Sequence, residues 1–476
     1  MFIDRFLKYV GHVVAACLLI FPTIATGSET QKKNDGMSTE LASLDSRFQL
    51  FSSHFYTTFV RLNKLSKVEN IDVLAQTVER YQIQNQPVSA IATIIHNLAL
   101  VEKNIDTTPI IKIFGLLLEK NEWNTASQLY KKVKKQGDKS LVSNVSFSLA
   151  KYYFFRNQWK ETIAIVESIR SDLPPEDFHH ALLMHGISLQ HLQKHRLALA
   201  EYARIPATSR YYAAARLNMA VANIRQDSWT DAHIIINELL SNKDHKRESE
   251  LTDRLYTVLG YSLLQQQYYR NSRDAFRNVG LSGKYTNQAL LGLALTAAYQ
   301  EDYIGALNAI RVLKEKKSRD LPVDEANLLQ PYFHERLRQL TTANTGYLEA
   351  IKYYEQRTQS AKDAMPSDTD VLRKQVVASN SSTININGEL MDLDEKLPKF
   401  IFDNIGMLAQ IQPHLDQIGD SALRREYEIL NGDYRNILRK TAQLLLDEKI
   451  SHLTHYMNQS RYGLARMQDH DATTLP

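Results

Sequence analysis

Apolar residues recur at three- and four-residue steps once the chain passes its first forty positions. Leu44, Phe48, Phe51, Phe55 and Phe59 fall on one face of a helix. No stretch alternates Val, Ile and Thr in the manner of a half-buried strand, so the pattern predicts an all-α protein. Residues 28–69 are expected to form an N-terminal segment in which polar residues 28–42 lead into this first helix.

Farther along, short helical segments end in a polar turn. After the turn comes an aromatic or similar residue, then a small residue three positions later, then a bulky one four further on. The series runs Trp123, Ala126, Tyr130; Trp159, Thr162, Val166; His195, Ala198, Tyr202; Trp229, Ala232, Ile236; Tyr269, Ser272, Phe276; and Tyr303, Ala306, Ile310. All three tryptophans occupy the same slot, and the turns are spaced by 36, 36, 34, 40 and 34 residues. Weaker copies flank the series at Pro87, Ala90, Ile94 and at Tyr347, Ala350, Tyr354, which gives eight candidate units between about Ile71 and Gln356. Nine positions before the turn aromatic, Ala150, Gly186, Ala220, Gly260 and Ala294 supply a second small residue, whereas the Trp123 unit carries Phe114 there. Small residues at both places let two antiparallel helices cross closely while the aromatic wedges against the next unit.

On these residues, positions 70–358 resemble the tetratricopeptide repeat (TPR) family, whose period is about 34 residues. Thr162 and Ser272 depart from its small Ala, His195 from its aromatic, and the turn carries Asn, Gln or Asp in place of Gly. The stretch LSGKYTNQALLGLALTAAYQEDYIGALNAI is also similar to exported bacterial repeat proteins. The resemblance implies a right-handed helical solenoid whose concave face, lined by the first helix of each pair, binds other proteins. In that register Asn144, Lys151, Phe155, His180, Gln190, Arg225, Arg254, Tyr261 and Tyr299 are expected to face the groove. Trp123, Ala126, Trp159, Gly186, Ala198, Trp229, Ala232, Gly260, Tyr303 and Ala306 are expected to pack the repeats together.

The rhythm fades after Tyr354. Residues 376–398 read as a polar linker, and residues 399–470 return to a helical step through Leu423, Tyr427, Leu430, Tyr434, Ile437 and onward. That segment either caps the solenoid or pairs as a coiled coil.

At the other end, Arg5 and Lys8 precede the apolar run VVAACLLIFPTIA and a small-residue ending at Ala25-Thr26-Gly27, as in a secretory signal peptide of residues 1–27. This predicts export to the periplasm. A retained inner-membrane anchor and lipidation at Cys17 are the alternatives, although the apolar run continues past Cys17 and weakens the second. Cys17 is the only cysteine, so a mature chain has no thiol for a disulfide, a Cys metal site or a nucleophile.

The formal charge of +4 comes from 57 basic and 53 acidic residues. With bases and acids interspersed, no nucleic-acid-binding face is expected. Lysine clusters at 131–135, 243–247 and 314–319 come near the ends of second helices, where cations offset the helix dipole. His179, His180, His185, His191 and His195 crowd one region, but no H-E-x-x-H accompanies them, so neither a metal nor another cofactor is expected. Phosphate-cradle and nucleophile-elbow motifs are absent from the sequence. The expected role is therefore a non-catalytic protein-binding scaffold in the bacterial envelope, in assembly, secretion or polysaccharide export. An envelope enzyme using the repeats as a binding module, and a protein that self-associates through its C-terminal helices, are the competing readings.

Overall fold

A computed structural model describes residues 28–63, 65–169, 173–241, 249–316, 318–366, 368 and 370–473. The leader and its alternatives lie outside the described residues. Helix α1 (Ser28–Leu62) begins within the polar lead-in and carries Phe48, Phe51, Phe55 and Phe59 into the core.

Eight helix pairs follow: α2 (Ile71–Ile83) with α3 (Pro87–His96), then after the short α4 (Leu98–Lys103), α5 (Pro109–Glu119) with α6 (Trp123–Gln136), and α7 (Lys139–Phe154) with α8 (Trp159–Ser168). Next come α9 (Pro175–His191) with α10 (His195–Ala203), α11 (Tyr212–Ile224) with α12 (Trp229–Ser241), and α13 (Ser249–Gln265) with α14 (Tyr269–Arg277). The last two are α15 (Thr286–Tyr299) with α16 (Tyr303–Glu315), and α17 (Leu321–Arg336) with α18 (Leu340–Lys362). This is a TPR-like helical solenoid.

Every first helix stops in the same way. Asn85, Asn121, Asn157, Gln193, Asp227, Gln267, Glu301 and Arg338 each adopt positive φ. The amide of that residue bonds three residues back and the next amide bonds five residues back, as Asn121 does to Leu118 and Glu122 to Leu117. This paired closure satisfies carbonyls that the helix end would otherwise leave bare. Asn and Asp tolerate the left-handed conformation, which explains the missing turn glycine at Asn85, Asn121, Asn157 and Asp227; at Gln193, Gln267, Glu301 and Arg338 the paired closure holds a bulkier residue there.

These turns also correct the register of the eighth unit. It opens at Leu340, with Ala343 and Tyr347 in the small and bulky slots; Tyr347, Ala350 and Tyr354 therefore do not begin a unit. Tyr347 is the bulky residue that follows the crossing.

Within the pairs, Ala126, Ala198, Ala232 and Ala306 are completely buried at the crossings. A Cβ on Gly186 would lie 2.3 Å from the Tyr202 ring, and one on Gly260 would lie 2.5 Å from Phe276. The two polar departures satisfy themselves: Thr162 Oγ1 donates to the Gln158 carbonyl at 2.8 Å and Ser272 Oγ to the Gly260 carbonyl at 2.8 Å.

The stretch expected to be a polar linker is ordered structure. Helix α19 (Val371–Ser379) leads into strands β1 (Thr383–Ile386) and β2 (Glu389–Asp392), an antiparallel hairpin pairing Ile386 with Glu389 and Ile384 with Met391. Asn387 and Gly388, with φ of 51° and 86°, make the tight turn that Asn-Gly favours. Ile384, Ile386 and Met391 point into the core, as do Leu393 and Leu397 just beyond, so the segment is anchored by its own apolar side chains.

Helix α20 (Phe400–Ile418) ends at Gly419 in the left-handed conformation, and α21 (Ser421–Thr473) then runs for 53 residues, about 80 Å of continuous helix. Its first part lies antiparallel to α1, with Glu426 beside His54, Asp433 beside Arg47 and Lys440 beside Glu40. Its later part runs along α18. The solenoid therefore ends in a helical cap, and the same helix is a strut joining the last unit to the N-terminal helix. One large core unites α1, the first two units, the start of α7, α19, the hairpin, α20 and the first part of α21, while smaller clusters hold the middle units together.

Candidate interaction surfaces: the inner face and the closing seam

First helices of successive units pack against one another, except α11 and α13, so they form the inner side of the curve. That packing is close enough to bury the middle of the inner face. Gln190 and Tyr261, expected to line a groove, lie inside: Gln190 accepts the Tyr202 hydroxyl at 2.5 Å and donates to the Asn218 carbonyl at 3.1 Å, and the Tyr261 hydroxyl donates to the Gln288 carbonyl at 2.7 Å. These two residues are structural, because neighbouring first helices cover them.

Two rims flank the buried middle. Along the turn rim, the wedge aromatic of one unit stacks on a flat side chain at the end of the next unit's first helix. Trp159 stacks on His191 at 4.0 Å and 7° and Tyr269 on Tyr299 at 5.4 Å and 7°, while the Arg336 guanidinium lies over Tyr303 at 5.4 Å. Trp123 stacks in a similar way on Tyr152 at 5.1 Å. Tyr299 thus serves packing between repeats. Arg225 holds the corresponding place beside His191 and His195; burial, with Arg225 adding to it, pushes the His191 imidazole down to about 4. Phe155 is exposed, and Lys399 of α20 reaches its ring at 5.6 Å. Trp229 is half-buried at the start of α12.

The opposite rim carries a ladder that crosses three units. Lys151 Nζ lies 4.7 Å from the Phe147 ring, Phe147 meets His180 edge-on at 5.6 Å, His180 stacks on Tyr211 at 4.6 Å, and Arg210 lies over Tyr211 at 4.8 Å. Burial, Lys151 and Arg210 together lower the His180 pKa against a weaker opposing effect of Asp177, so the imidazole is held neutral in the stack. Glu176 ties the ladder's end, accepting from Ser209 Oγ at 3.1 Å and the Arg210 amide at 3.3 Å. Asn144 on α7 and Arg254 on α13 are partly buried, Asn144 donating to the Ser140 carbonyl at 2.9 Å. Among the described residues, no group of three or more His, Cys, Asp or Glu side chains could hold a metal ion. His185, one of the five crowded histidines, sits instead between Glu201 at 3.6 Å and Glu167 at 3.9 Å.

The second surface is the seam where the strut closes on the last unit, which the sequence pattern does not mark. Glu389 of β2, only 1% exposed, accepts from Arg357 of α18 and from Lys449 of the strut, with Arg319 Nη1 at 3.5 Å. Arg357 reaches on to Asp324, fully buried on α17, whose carboxylate also takes the Tyr353 hydroxyl at 2.6 Å. The Arg319 carbonyl accepts from Lys449 at 2.7 Å, and Arg319 Nη1 donates to the Asn387 carbonyl at 3.1 Å. The Arg357 and Lys449 charges hold the Glu389 carboxyl below its ordinary range despite burial.

No known protein family and no curated protein sequence matches the chain. Among solved structures it is similar to the apo form of RapI, with a TM-score of 0.43 and 13% identity over 78% of this chain and 98% of that one. It is also similar to the apo form of the quorum sensor NprR from B. thuringiensis, with a TM-score of 0.35 and 11% identity over 70% of this chain and 99% of that one. A further similarity, to the APC/C hetero-tetramer Cut9–Hcn1, has a TM-score of 0.26 and 12% identity over 84% and 96% of the two chains.

Proposed function

We propose that the protein is a non-catalytic scaffold or adaptor that grips a partner protein along the inner side of its solenoid. The ladder from Lys151 to Arg210 carries this reading. It places two cations, Lys151 and Arg210, at the ends of a line of packed rings that crosses three successive units, with Phe147 buried beneath Lys151 and the rings held by one another. A line of side chains that crosses successive units suits an extended or helical polypeptide more than a small molecule. The grip uses the rims, since the middle of the inner face is filled.

The leader of residues 1–27 supports export to the periplasm, with retention at the inner membrane as the alternative. A partner in the bacterial envelope, within an assembly, secretion or polysaccharide-export system, follows from that compartment. No helix among the described residues is long and apolar enough to cross a membrane.

The test is capture of a specific envelope partner by the purified mature protein, compared with Lys151→Glu/Arg254→Glu. The double variant should keep its helical circular-dichroism spectrum and lose most of the partner. Undiminished capture by a folded double variant rejects the rim as the gripping surface.

A further inference from the structure

The two parts of the strut are fixed by different means. Leu423, Tyr427, Leu430, Tyr434, Ile437, Leu438, Ala442 and Leu446 bury one apolar row in the large core. Beyond Lys449 the buried apolar contacts shrink to Leu453, Tyr456 and Met467, in two small clusters with α17 and α18. Ser460 and Gly463 continue the buried row between them, Met457 and Leu464 pack beside it, and charge is added to it. Lys449 meets Glu389, Arg461 Nη2 lies 3.1 Å from Glu355, and Arg466 Nη2 lies 2.5 Å from Glu335, which also takes the Tyr347 hydroxyl. Each strut cation thus answers one carboxylate on or beside the last unit.

The seam is also incompletely satisfied. Glu325 Oε1 on α17, Asn344 Oδ1 and Thr358 Oγ1 on α18, and Arg466 Nε on the strut are buried without a hydrogen-bond partner. Each such atom is a desolvated group that release of the cap returns to water. Yet the shape of the contact is that of an ordinary repeat interface. A Cβ on Gly463 would lie 2.5 Å from the Tyr347 ring, as one on Gly292 of α15 would lie 2.3 Å from Phe276 of the preceding unit. Residues 449–467 therefore occupy the place of a ninth first helix.

We propose that the outer end of the last unit is a docking face for a basic amphipathic helix of a partner protein, and that residues 449–467 are a releasable cap occupying it. The face selects its guest by carboxylates at Glu335, Glu355 and Glu389, and by the Tyr347 ring, which requires a glycine or a similarly small residue at the crossing. The first part of the strut stays docked in the large core while the cap opens. Only the identity of the guest rests on the protein-binding role proposed above; release of the cap does not.

Hydrogen exchange on the full-length mature protein reads the release. Amides of residues 449–467 should exchange at least about tenfold faster than those of residues 423–446, which corresponds to an opening at least about 1.4 kcal/mol easier. Gly463→Leu, which leaves every charge in place, should accelerate exchange in residues 449–467 alone. A fluorescein-labelled synthetic peptide of residues 446–470 should bind the Gly463→Leu protein at least about tenfold tighter than wild type, because the tethered cap no longer competes. The same peptide carrying Lys449→Glu, Arg461→Glu and Arg466→Glu should lose that binding. A single common exchange rate along the whole strut overturns the cap, and equal binding of the two peptides overturns the charge selection. Under either result, capture by the Lys151→Glu/Arg254→Glu protein measures the binding role independently.

Discussion

Replacing Glu389 by Ala removes the centre of the closing seam, and its cost follows from who is left behind. Arg357 keeps Asp324, at 3.4 Å, and the Arg319 carbonyl, at 3.5 Å; Lys449 keeps that carbonyl at 2.7 Å, is 16% exposed and can turn toward water; Arg319 is nearly half exposed and loses little. Removing one member of a buried ion pair generally costs about 3–5 kcal/mol because the survivor is left buried and uncompensated. Two survivors here can partly recover, so about 2–4 kcal/mol is expected. Since Glu389 sits on the hairpin, the loss should fall on the hairpin, α18 and the later part of the strut. Urea unfolding followed by circular dichroism, with hydrogen exchange for location, measures both quantities. A change below about 0.5 kcal/mol, or a loss spread evenly over all eight units, would show that the carboxylate is not what holds the seam.

Burial pushes the Glu325 carboxyl up to about 8, so it is protonated in the folded protein over a range where the unfolded chain has released its proton. Stability should therefore fall as pH rises from about 4.5 to about 8 and then level off, and Glu325→Gln should flatten that slope in thermal melts. At the eighth turn, Arg338 holds a φ of 58° with a bulky side chain. Relief of the left-handed strain by Arg338→Gly, set against the greater freedom of glycine when unfolded, should leave a gain of about 0.5–1 kcal/mol, whereas Asn157→Gly should be close to neutral; chemical denaturation of the pair compares them. Gly186→Ala drives a methyl into the Tyr202 ring, which is itself fixed by Gln190, and should cost about 1–3 kcal/mol in the same assay.

The repeat units were legible because each must reverse the chain and cross two helices at short range, and both needs appear as local residue choices: a wedge such as Trp159, a small residue such as Ala198. The eighth unit was displaced since Leu340 is not aromatic and Arg338 is no usual turn residue, so the aromatic at Tyr347 drew the register seven positions too far. In the hairpin, Asn387-Gly388 between the short alternations of residues 383–386 and 389–392 is a strong local signal that the surrounding polar composition concealed. Rim positions followed from register, but the burial of Gln190 and Tyr261 depends on how tightly neighbouring first helices close, which no single unit encodes. The seam was invisible for a different reason: Asp324, Arg357, Glu389 and Lys449 are ordinary charged residues until four distant segments converge on them.

The strut gives the molecule the mechanics of a bow with its string. An open solenoid is nearly one-dimensional; a unit can be lost or gained and the remainder adjusts, because each unit touches only its neighbours. Here the chord has a set length, fixed by 53 residues of helix anchored at one end on α1 and at the other on α18. Removing one internal unit would shorten the arc while leaving the chord unchanged, so one of the two anchorages would have to tear. The number of units is thus set by geometry and not by binding alone, and contacts such as Arg47 with Asp433 join sequence-distant ends, which raises the contact order and should make folding slower than for an open array of equal length.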